Sequence, residues 1–395
     1  MMTALTENVK WVGKVDWELK FFHGQEYSTH RGSSYNSYLI KDQKTVLIDT
    51  VWKPFAREFI ENLKQEIELE QIDYIIANHA ESDHSGALEL LMQEIPETPI
   101  YCTKNAIQSL QGHYHKTWNF IPVKTGDTLN LGKNQLVFVE ARMLHWPDSM
   151  FTYLTGENLL FSNDAFGQHY ASELLYNDLV DQSELEQEAI KYYANILTPY
   201  SVLVQKKIEE IKGLNLPLDM ICPSHGIIWR KKPWQIVEQY LEWAQDYQEN
   251  QITLVYDSMW DGTKKMAEAI IEGIKTADDQ VNVKMYNLAL SDKSDIITEI
   301  FKSKAFLIGS PTINRGILYS VAGLLEMIKG LGFKNKKAAA FGCYGWSGEG
   351  TKIITEGLMQ GGITILDEGL RALWHPDQET IQTCKAYGKD LVAKI

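Results

Sequence analysis

Residues 79–86 read His-Ala-Glu-Ser-Asp-His-Ser-Gly and directly follow an apolar run, residues 72–78, with the composition of a buried β-strand. The octapeptide carries four side chains that can bind a metal, at the positions His79, Glu81, Asp83 and His84. If the segment is extended, alternation places the first three of them on one side. A solvated polar loop is the other interpretation of such a stretch. Further ligands at other strand ends would favour the metal site.

Three more metal-binding side chains follow predicted strands in the first half of the chain. His145 comes after residues 136–140, Asp164 after residues 159–162, and His225 after residues 220–222. Other short strands are predicted at residues 37–40, 45–49 and 150–154, and helices at residues 54–65, 184–211 and 234–251. Many short strands leading into polar loops indicate an α/β fold whose loops converge on a metal centre.

The order of these ligands resembles the metallo-β-lactamase superfamily, whose usual motif is H-x-H-x-D-H and whose usual metal is zinc. Glu81 replaces the second histidine here, and mixed nitrogen and oxygen ligands suit a pair of iron ions. The H-x-E-x-D-H pattern is similar to that of the flavodiiron proteins. The resemblance implies one iron on His79, Glu81 and His145, a second on Asp83 and His225, and Asp164 as the bridge. His84 matches a position that is a ligand in some members only.

The second half of the chain alternates strands and helices more regularly. Strands are predicted at residues 252–256, 281–288, 305–309, 338–342 and 363–366. Helices are predicted at residues 263–275, 294–301, 320–329, 350–359 and 376–393. Five β–α units with nearly continuous apolar strands predict a doubly wound parallel five-stranded sheet. Ligands of such sheets bind beyond the carboxyl ends of the strands.

Loops rich in small residues follow the first, third and fourth of these strands. A loop that leads into a helix can present backbone N–H groups to a phosphate, although an ordinary capped turn has the same composition. The loop sequences SMW, GSPTIN and GWSGEG resemble those of flavodiiron proteins. Flavodoxin-like domains hold FMN with these three loops. The FMN contacts that the resemblance implies are Ser258, Met259, Trp260, Asp261, Gly262, Thr263, Ser310, Pro311, Thr312, Ile313, Asn314, Tyr344, Gly345, Trp346, Ser347 and Gly348. The resemblance spans nearly the whole chain.

Charge and histidine content divide the chain at about residue 250. The net charge of −14 lies entirely before residue 251, together with nine of the ten histidines. We therefore predict a metallo-β-lactamase-like αβ/βα sandwich in residues 1–250 and a flavodoxin-like domain in residues 251–395. An acidic chain without a Lys/Arg run longer than three residues argues against nucleic-acid binding. No apolar stretch has the ~18–20 residues of a membrane span, so no membrane partner is expected.

The four cysteines are far apart, and no Cys-x-x-Cys pair is present in the 395 residues. The sequence also shows no export signal at its start, which together with the isolated cysteines predicts a cytoplasmic protein. Without cysteine pairs there is no rubredoxin-type iron site in this chain. Electrons are therefore expected from an external carrier, with rubredoxin as the family expectation. Three lysines, Lys334, Lys336 and Lys337, are candidates for carrier docking.

The resemblance implies an oxidoreductase that reduces dioxygen to water, nitric oxide to nitrous oxide, or both. It also implies a head-to-tail homodimer or a dimer of dimers, in which Trp346 of one FMN domain meets the partner's iron pocket. His23 and Tyr193 are candidate second-layer residues of that pocket, with Tyr193 as a proton donor. Two alternatives stay open: a zinc hydrolase with an appended flavodoxin, and an electron-transfer module whose metal site is structural.

Overall fold

The computed structural model describes residues 2–395. Contacts group the chain into two compact units. The first comprises the residues up to Gly24, Thr29–Tyr192 and Tyr200–Glu242, and the second Gln25–Ser28, Tyr193–Pro199 and Trp243–Ile395. The composition-based limits at residues 250 and 251 stay a prediction beside this grouping.

The first half of the chain is richer in strands than its sequence pattern indicates. Its strands are β1 (Thr3–Ala4), β2 (Val9–Trp11), β3 (Lys14–Asp16), β4 (Phe21–Phe22), β5 (Tyr27–Ser28), β6 (Ser33–Tyr35), β7 (Tyr38–Lys41), β8 (Thr45–Ile48), β9 (Tyr74–Ile76), β10 (Ile100–Thr103), β11 (Phe120–Val123), β12 (Thr128–Asn130), β13 (Gln135–Glu140), β14 (Met150–Leu154), β15 (Leu159–Asn163) and β16 (Met220–Pro223). Its helices are α1 (Ala56–Glu66), α2 (Ser82–Ser85), α3 (Leu88–Glu94), α4 (Lys104–Tyr114), α5 (Gln182–Tyr192), α6 (Ser201–Gly213) and α7 (Trp234–Trp243).

Two sheets form the centre of the first unit. One has the order β1-β2-β7-β8-β9-β10-β11 and the other β12-β13-β14-β15-β16. Alternation along β8 sends Val46 and Ile48 into the core that faces Phe138 and Phe161 of the second sheet. Leu47, on the opposite face of the same strand, packs with the side chains of α1, α3 and α4. Helices and sheets are thus layered as the sandwich prediction requires.

Two predicted helices of the first half have different bounds in the structure. The run predicted over residues 184–211 is two helices, α5 and α6, separated by a π turn at Tyr193–Leu197 and a 3-10 turn at Thr198–Tyr200. Pro199 lies in that interruption and cannot donate the backbone hydrogen bond that a continuous helix needs. The helix predicted to reach residue 251 ends at Trp243, because the chain enters a strand at Glu249.

The second unit is a parallel sheet covered by helices on both faces. Its strands are β17 (Glu249–Tyr256), β18 (Asn282–Asn287), β19 (Ser303–Gly309), β20 (Lys337–Tyr344), β21 (Thr364–Ile365) and β22 (Leu370–Leu373). Its helices are α8 (Gly262–Ala277), α9 (Lys293–Lys302), α10 (Tyr319–Leu331), α11 (Gly350–Gln360) and α12 (Gln378–Val392). The strand order is β18-β17-β19-β20-β21, with β22 also paired to β20.

The predicted fifth strand of this sheet is broken in two. β21 pairs with the start of β20 at Lys337 and Ala338, and β22 pairs with its end from Phe341 to Tyr344. The two short strands therefore occupy one position in the sheet, and the sequence pattern predicted only the first. The structure confirms five strand positions but adds a strand whose end, at Leu373, lies beside the end of β20.

Helices α8 and α12 approach each other at two glycines. A Cβ atom on Gly388 would lie 2.0 Å from the carbonyl oxygen of Ile270, and one on Gly273 would lie 2.0 Å from that of Lys385. The two backbones are therefore too close for any side chain at either position. Within residues 2–395 no helix is long and apolar enough to cross a bilayer.

We expect Gly388→Ala to destabilise the second unit by about 1–3 kcal/mol, because the new methyl group forces the two helices apart. Hydrogen exchange of β17 peptides during urea unfolding would measure this unit separately. Gly323→Ala is the matched control, since Gly323 lies inside α10 with no atom within 4 Å of an added Cβ. That change should be neutral or stabilising by up to about 1 kcal/mol. Equal stability of the two variants would contradict the close packing.

Candidate metal centre and flavin cavity

The predicted metal ligands all lie just beyond strand ends on one edge of the two sheets. β13 and β15 both run antiparallel to β14, and β16 runs parallel to β15, so the carboxyl ends of these three strands lie on one side. The β9 end joins them because Asn78 accepts a hydrogen bond from Met150 N through its carbonyl and one from Thr152 Oγ1 through its side chain. Buried Asp49 accepts from the backbone and side-chain nitrogens of Asn78. These bonds hold the loop that carries His79 against the second sheet.

His79, Glu81 and His145 form the first ligand group. Glu81 Oε2 lies 3.3 Å from His79 Nε2 and 3.4 Å from His145 Nε2. His79 is fully buried, and the side chain of Glu81 is 14 % exposed. This is the set that the family resemblance assigned to one iron.

Asp83, His84 and His225 form the second group. Asp83 Oδ2 lies 2.9 Å from His225 Nε2 and 3.2 Å from His84 Nε2. All three side chains are buried. The sequence left the participation of His84 open, and the structure places its Nε2 among the other donor atoms.

Asp164 lies between the two groups, with one carboxylate oxygen toward each. Its Oδ2 is 3.6 Å from Nε2 of both His79 and His145. Its Oδ1 is 3.0 Å from His84 Nε2 and 3.5 Å from His225 Nε2. A bridging carboxylate between two metal ions needs this orientation.

The donor atoms of the centre fit metal ions better than they fit one another. Within residues 2–395, both carboxylate oxygens of Asp83, both ring nitrogens of His84 and Oδ2 of Asp164 are buried without a hydrogen-bond partner, although nitrogen and oxygen atoms lie near them. Buried polar atoms without partners are costly unless a bound ion satisfies them. Four histidines and three carboxylates are a mixed nitrogen and oxygen set, which suits iron.

Charges within the cluster stabilise one another strongly. Burial alone would lower the pKa of His84, but the carboxylates of Asp83 and Asp164 outweigh it and raise that pKa to about 9. Burial would raise the pKa of Asp164, yet the neighbouring histidines hold it well below its usual value. The cluster thus has a strong affinity for positive charge, whether protons or metal ions supply it.

The side chain that orients His79 was missed at the sequence level. Asp148 Oδ2 lies 2.9 Å from His79 Nδ1 and accepts a 2.8 Å hydrogen bond from Ala80 N. This bond directs His79 Nε2 toward the other ligands. The carbonyl of Ser34 does the same for His225, 2.7 Å from its Nδ1. Asp148 could have been noticed as a carboxylate three residues after His145 and two residues before the start of β14.

The structure places the two candidate second-layer residues, His23 and Tyr193, in different surroundings. His23 Nε2 lies 3.0 Å from Glu81 Oε1, so the structure brings His23 to the centre. Tyr193 instead packs its ring against Trp243 and Phe301, at 5.6 and 5.7 Å between centroids. The preceding residue, Tyr192, is the tyrosine whose ring contacts the buried histidines, with a centroid 5.3 Å from that of His169 and 6.5 Å from that of His225.

The role of Tyr193 as a proton donor stays a prediction. Adjacent helical residues point about 100° apart, so the rings of the two tyrosines meet different neighbours.

The second unit contains a cavity of about 470 Å³ at the carboxyl ends of its strands. Eight of its lining residues are among the predicted FMN contacts: Met259, Trp260, Gly262, Pro311, Thr312, Tyr344, Gly345 and Trp346. Three others, Cys343, Trp374 and His375, line it without having been predicted. Trp374 and His375 follow the unpredicted strand β22, so no motif indicated them.

The remaining predicted contacts are not among the residues that line the cavity and stay predictions: Ser258, Asp261, Thr263, Ser310, Ile313, Asn314, Ser347 and Gly348. Ser310 is buried, and its hydroxyl donates to the carbonyl of Pro311 while accepting from Leu318 N. Thr263 is buried at the start of α8 with its Oγ1 3.4 Å from Cys343 Sγ. The buried hydroxyl groups of Ser310 and Thr263 therefore make contacts within the protein that stabilise these loops.

The cavity fits a phosphorylated planar ligand. α8 begins at Gly262 without a side-chain cap on its first amides, which leaves them available for an anion. Ser258 Oγ beside it is buried and has no partner. Gly262 and Gly350 leave no room for a Cβ, which would lie 2.9 Å from Cys343 Sγ and Thr312 Oγ1, respectively. The volume is within the usual range for small-molecule sites.

Lys336 does not belong to a docking surface, which corrects the sequence-based expectation. It is 3 % exposed, and its Nζ donates to the carbonyls of Tyr247, Phe301 and Ser303. Burial lowers the pKa of this amine to about 7. The side chain joins three backbone segments inside the second unit, whereas Lys334 is exposed.

Two family models match the chain. Residues 34–226 match the ODP family beta lactamase model, and residues 254–388 match the flavodoxin model. They agree with the predicted metallo-β-lactamase-like and flavodoxin-like folds.

Relatives and solved structures match along the whole chain. It is 55 % identical over 393 residues to the anaerobic nitric oxide reductase flavorubredoxin of Klebsiella pneumoniae, covering 99 % of this chain and 81 % of the relative. The rubredoxin oxygen:oxidoreductase of Desulfovibrio gigas has a TM-score of 0.95 and 36 % identity, covering 100 % of this chain and 99 % of that one. The flavodiiron protein of Giardia intestinalis has a TM-score of 0.94 and 32 % identity, with 100 % and 96 % covered. With both predicted domains and the predicted ligand order present, the chain belongs to the flavodiiron protein family.

Proposed function

We propose that this chain is an oxidoreductase that reduces nitric oxide to nitrous oxide, dioxygen to water, or both, at a non-haem diiron site supplied with electrons through FMN. The observation that carries the proposal is the Asp164 carboxylate, with one oxygen toward each ligand group. The relative named as a nitric oxide reductase is 55 % identical, and the structure named as an oxygen oxidoreductase is 36 % identical. We therefore put nitric oxide first.

The two ligand groups would each hold one iron. His79, Glu81 and His145 would bind one ion, and Asp83, His225 and His84 the other, with Asp164 shared between them. Bound there, the iron pair would bind the small oxidant and pass electrons to it. Six of the seven ligand side chains are buried, and Asp148 and Ser34 fix the ring orientations of His79 and His225.

Both reactions consume protons, because dioxygen takes up four electrons and four protons to form two waters, and two nitric oxides take up two of each to form nitrous oxide and water. His23 is our candidate for delivering them. Its Nε2 is 3.0 Å from Glu81, and its side chain is 36 % exposed, so it contacts both a ligand and solvent. We place it beside Tyr193, whose role as a proton donor stays a prediction.

Electrons would reach the FMN from an external carrier, and rubredoxin is the carrier that we propose. Support comes from the name of the Desulfovibrio gigas protein and from the wide sequence spacing of the four cysteines, Cys102, Cys222, Cys343 and Cys384. All four are free thiols in the structure, which favours a cytoplasmic location.

A head-to-tail homodimer, alone or as a dimer of dimers, is our proposal for bringing FMN to the iron site of a second chain. Aromatic side chains at the flavin cavity are largely exposed: Trp346 by 86 %, Trp260 by 82 % and Trp374 by 61 %. Exposed aromatic residues grouped at a cavity are typical of an interaction surface. Trp346 would then lie against the partner's metal pocket.

The catalytic proposal is tested by Asp164→Ala. We expect loss of the second iron and a decrease of at least a hundredfold in the anaerobic turnover of nitric oxide and in the turnover of dioxygen, both with reduced rubredoxin. Glu97→Ala, which removes an exposed carboxylate from the same unit, should keep both activities and two irons. Retained gas reduction in Asp164→Ala would contradict the proposal. Two zinc ions and ester or lactam hydrolysis in the wild type would favour the hydrolase instead.

The orienting role of Asp148 is tested by Asp148→Asn, which keeps the shape but removes the charge. We expect the iron affinity to fall about 10-fold to 100-fold, because His79 loses the carboxylate that fixes its tautomer and basicity. Iron retained against a series of chelator concentrations measures this effect. Glu97→Gln is the control for the loss of one charge, and equal iron retention in the two variants would exclude the role.

The dimer proposal is tested by sedimentation of the active holoprotein at the concentration of the assay. We expect a dimer or tetramer, and Trp346→Ala should slow electron transfer from FMN without removing flavin or iron. A monomer with full turnover would contradict the arrangement.

A further inference from the structure

The loop that follows β22 is a fourth wall of the flavin cavity. Trp374 N donates a 2.7 Å hydrogen bond to the carbonyl of Tyr344, which ties this loop to the end of β20. The Trp374 ring lies against Gly345, where an added Cβ would be 2.8 Å from the ring. Its centroid is 6.1 Å from that of Trp346. Thus the split of the fifth strand places two more side chains, Trp374 and His375, at the cavity.

His375 connects this wall to the loop that leads into α8. Its Nε2 lies 2.9 Å from the carbonyl oxygen of Trp260. A carbonyl oxygen can only accept, so Nε2 carries the hydrogen. Two residues after Trp260, α8 begins at Gly262, and Pro376 Cδ approaches the same glycine, 3.7 Å from an added Cβ. The contact therefore acts on the segment that places the first amides of α8.

Among the described residues, the other side-chain hydrogen bond to this segment is from Ser258 N to Asp257 Oδ1, at 2.7 Å. Asp261 has a left-handed backbone, with φ of 59°, and does not cap α8 through its side chain. Met259 and Trp260 are exposed. A loop of this kind must be ordered when it binds a phosphate, and a hydrogen bond that already holds it lowers the cost of ordering.

We propose that His375 is a positioning residue for the phosphate of the flavin. Through the Trp260 carbonyl it holds the loop that carries Ser258 and the α8 amides, while Trp374 covers the part of the cavity that takes the ring. The proposal rests on the proposed FMN binding, and it assigns different roles to the two residues of the loop after β22. His375 serves the phosphate end, and Trp374 serves the isoalloxazine end.

The test compares FMN with riboflavin, which has the same ring system but no phosphate. Fluorescence titration of the flavin-depleted full-length chain gives both affinities for His375→Leu, His375→Gln and Trp374→Leu. We expect His375→Leu to weaken FMN binding about two- to fivefold, the value of one exposed hydrogen bond, and to leave riboflavin binding unchanged. His375→Gln can still donate to the carbonyl and should retain the FMN affinity. Trp374→Leu should weaken both ligands by a similar factor.

Several results would overturn this inference while leaving FMN binding itself intact. They are an unchanged FMN affinity in His375→Leu, an equal loss for FMN and riboflavin in that variant, or a His375→Gln chain as weak as the leucine variant. Failure of the wild-type chain to bind FMN would instead contradict the proposed function. The two failures are therefore distinguishable in one set of titrations.

Discussion

The metal centre depends on placing three carboxylates and four histidines within a few ångströms of one another in the interior of the protein. Bringing a single carboxylate out of water is costly, and three together would repel one another. The cost is offset because every carboxylate faces imidazole nitrogens and because the central one, Asp164, divides its two oxygens between the groups. The same arrangement that balances charge creates two adjacent positions for cations. Cation binding and the stability of the surrounding loops thus depend on the same balance of charges.

The sheets of the first unit bring the ligand side chains together in space. Ligands come from four loops distant in sequence, and only strands that end on one edge can bring such loops together. Hydrogen bonds beneath the ligands then limit their rotation, notably from His79 Nδ1 to Asp148 and from Asn78 N to Asp49. Burial of the Asp49 carboxyl raises its pKa to about 6, which reflects the cost of removing this carboxylate from water. Its hydrogen bonds from Asn78 offset part of that cost.

The second unit uses strand ends differently. Its parallel strands all end on the same side, so loops after β17, β19 and β20 surround one cavity without any need for charge balance. Small residues and the family resemblance together indicated these loops, because glycines and small hydroxyl residues are what a closely approached flavin requires. The fourth wall was not predictable in this way. Trp374 and His375 reach the cavity only because the fifth strand breaks and resumes as β22, and that break depends on pairing with β20 rather than on a local motif.

The sequence by itself carried the motifs whose resemblance indicated the two domain types, together with the order of the candidate ligands, since a motif such as H-x-E-x-D-H needs only neighbouring residues. It also determined the parallel sheet, because apolar periodicity is a local property. Tertiary structure decided what depends on direction and distance. It turned Tyr192 rather than Tyr193 toward the buried histidines, buried Lys336 among three carbonyls, and set Asp148 behind His79. Each of these outcomes depends on which face of an element meets a distant segment, and that choice is made by packing of the whole domain.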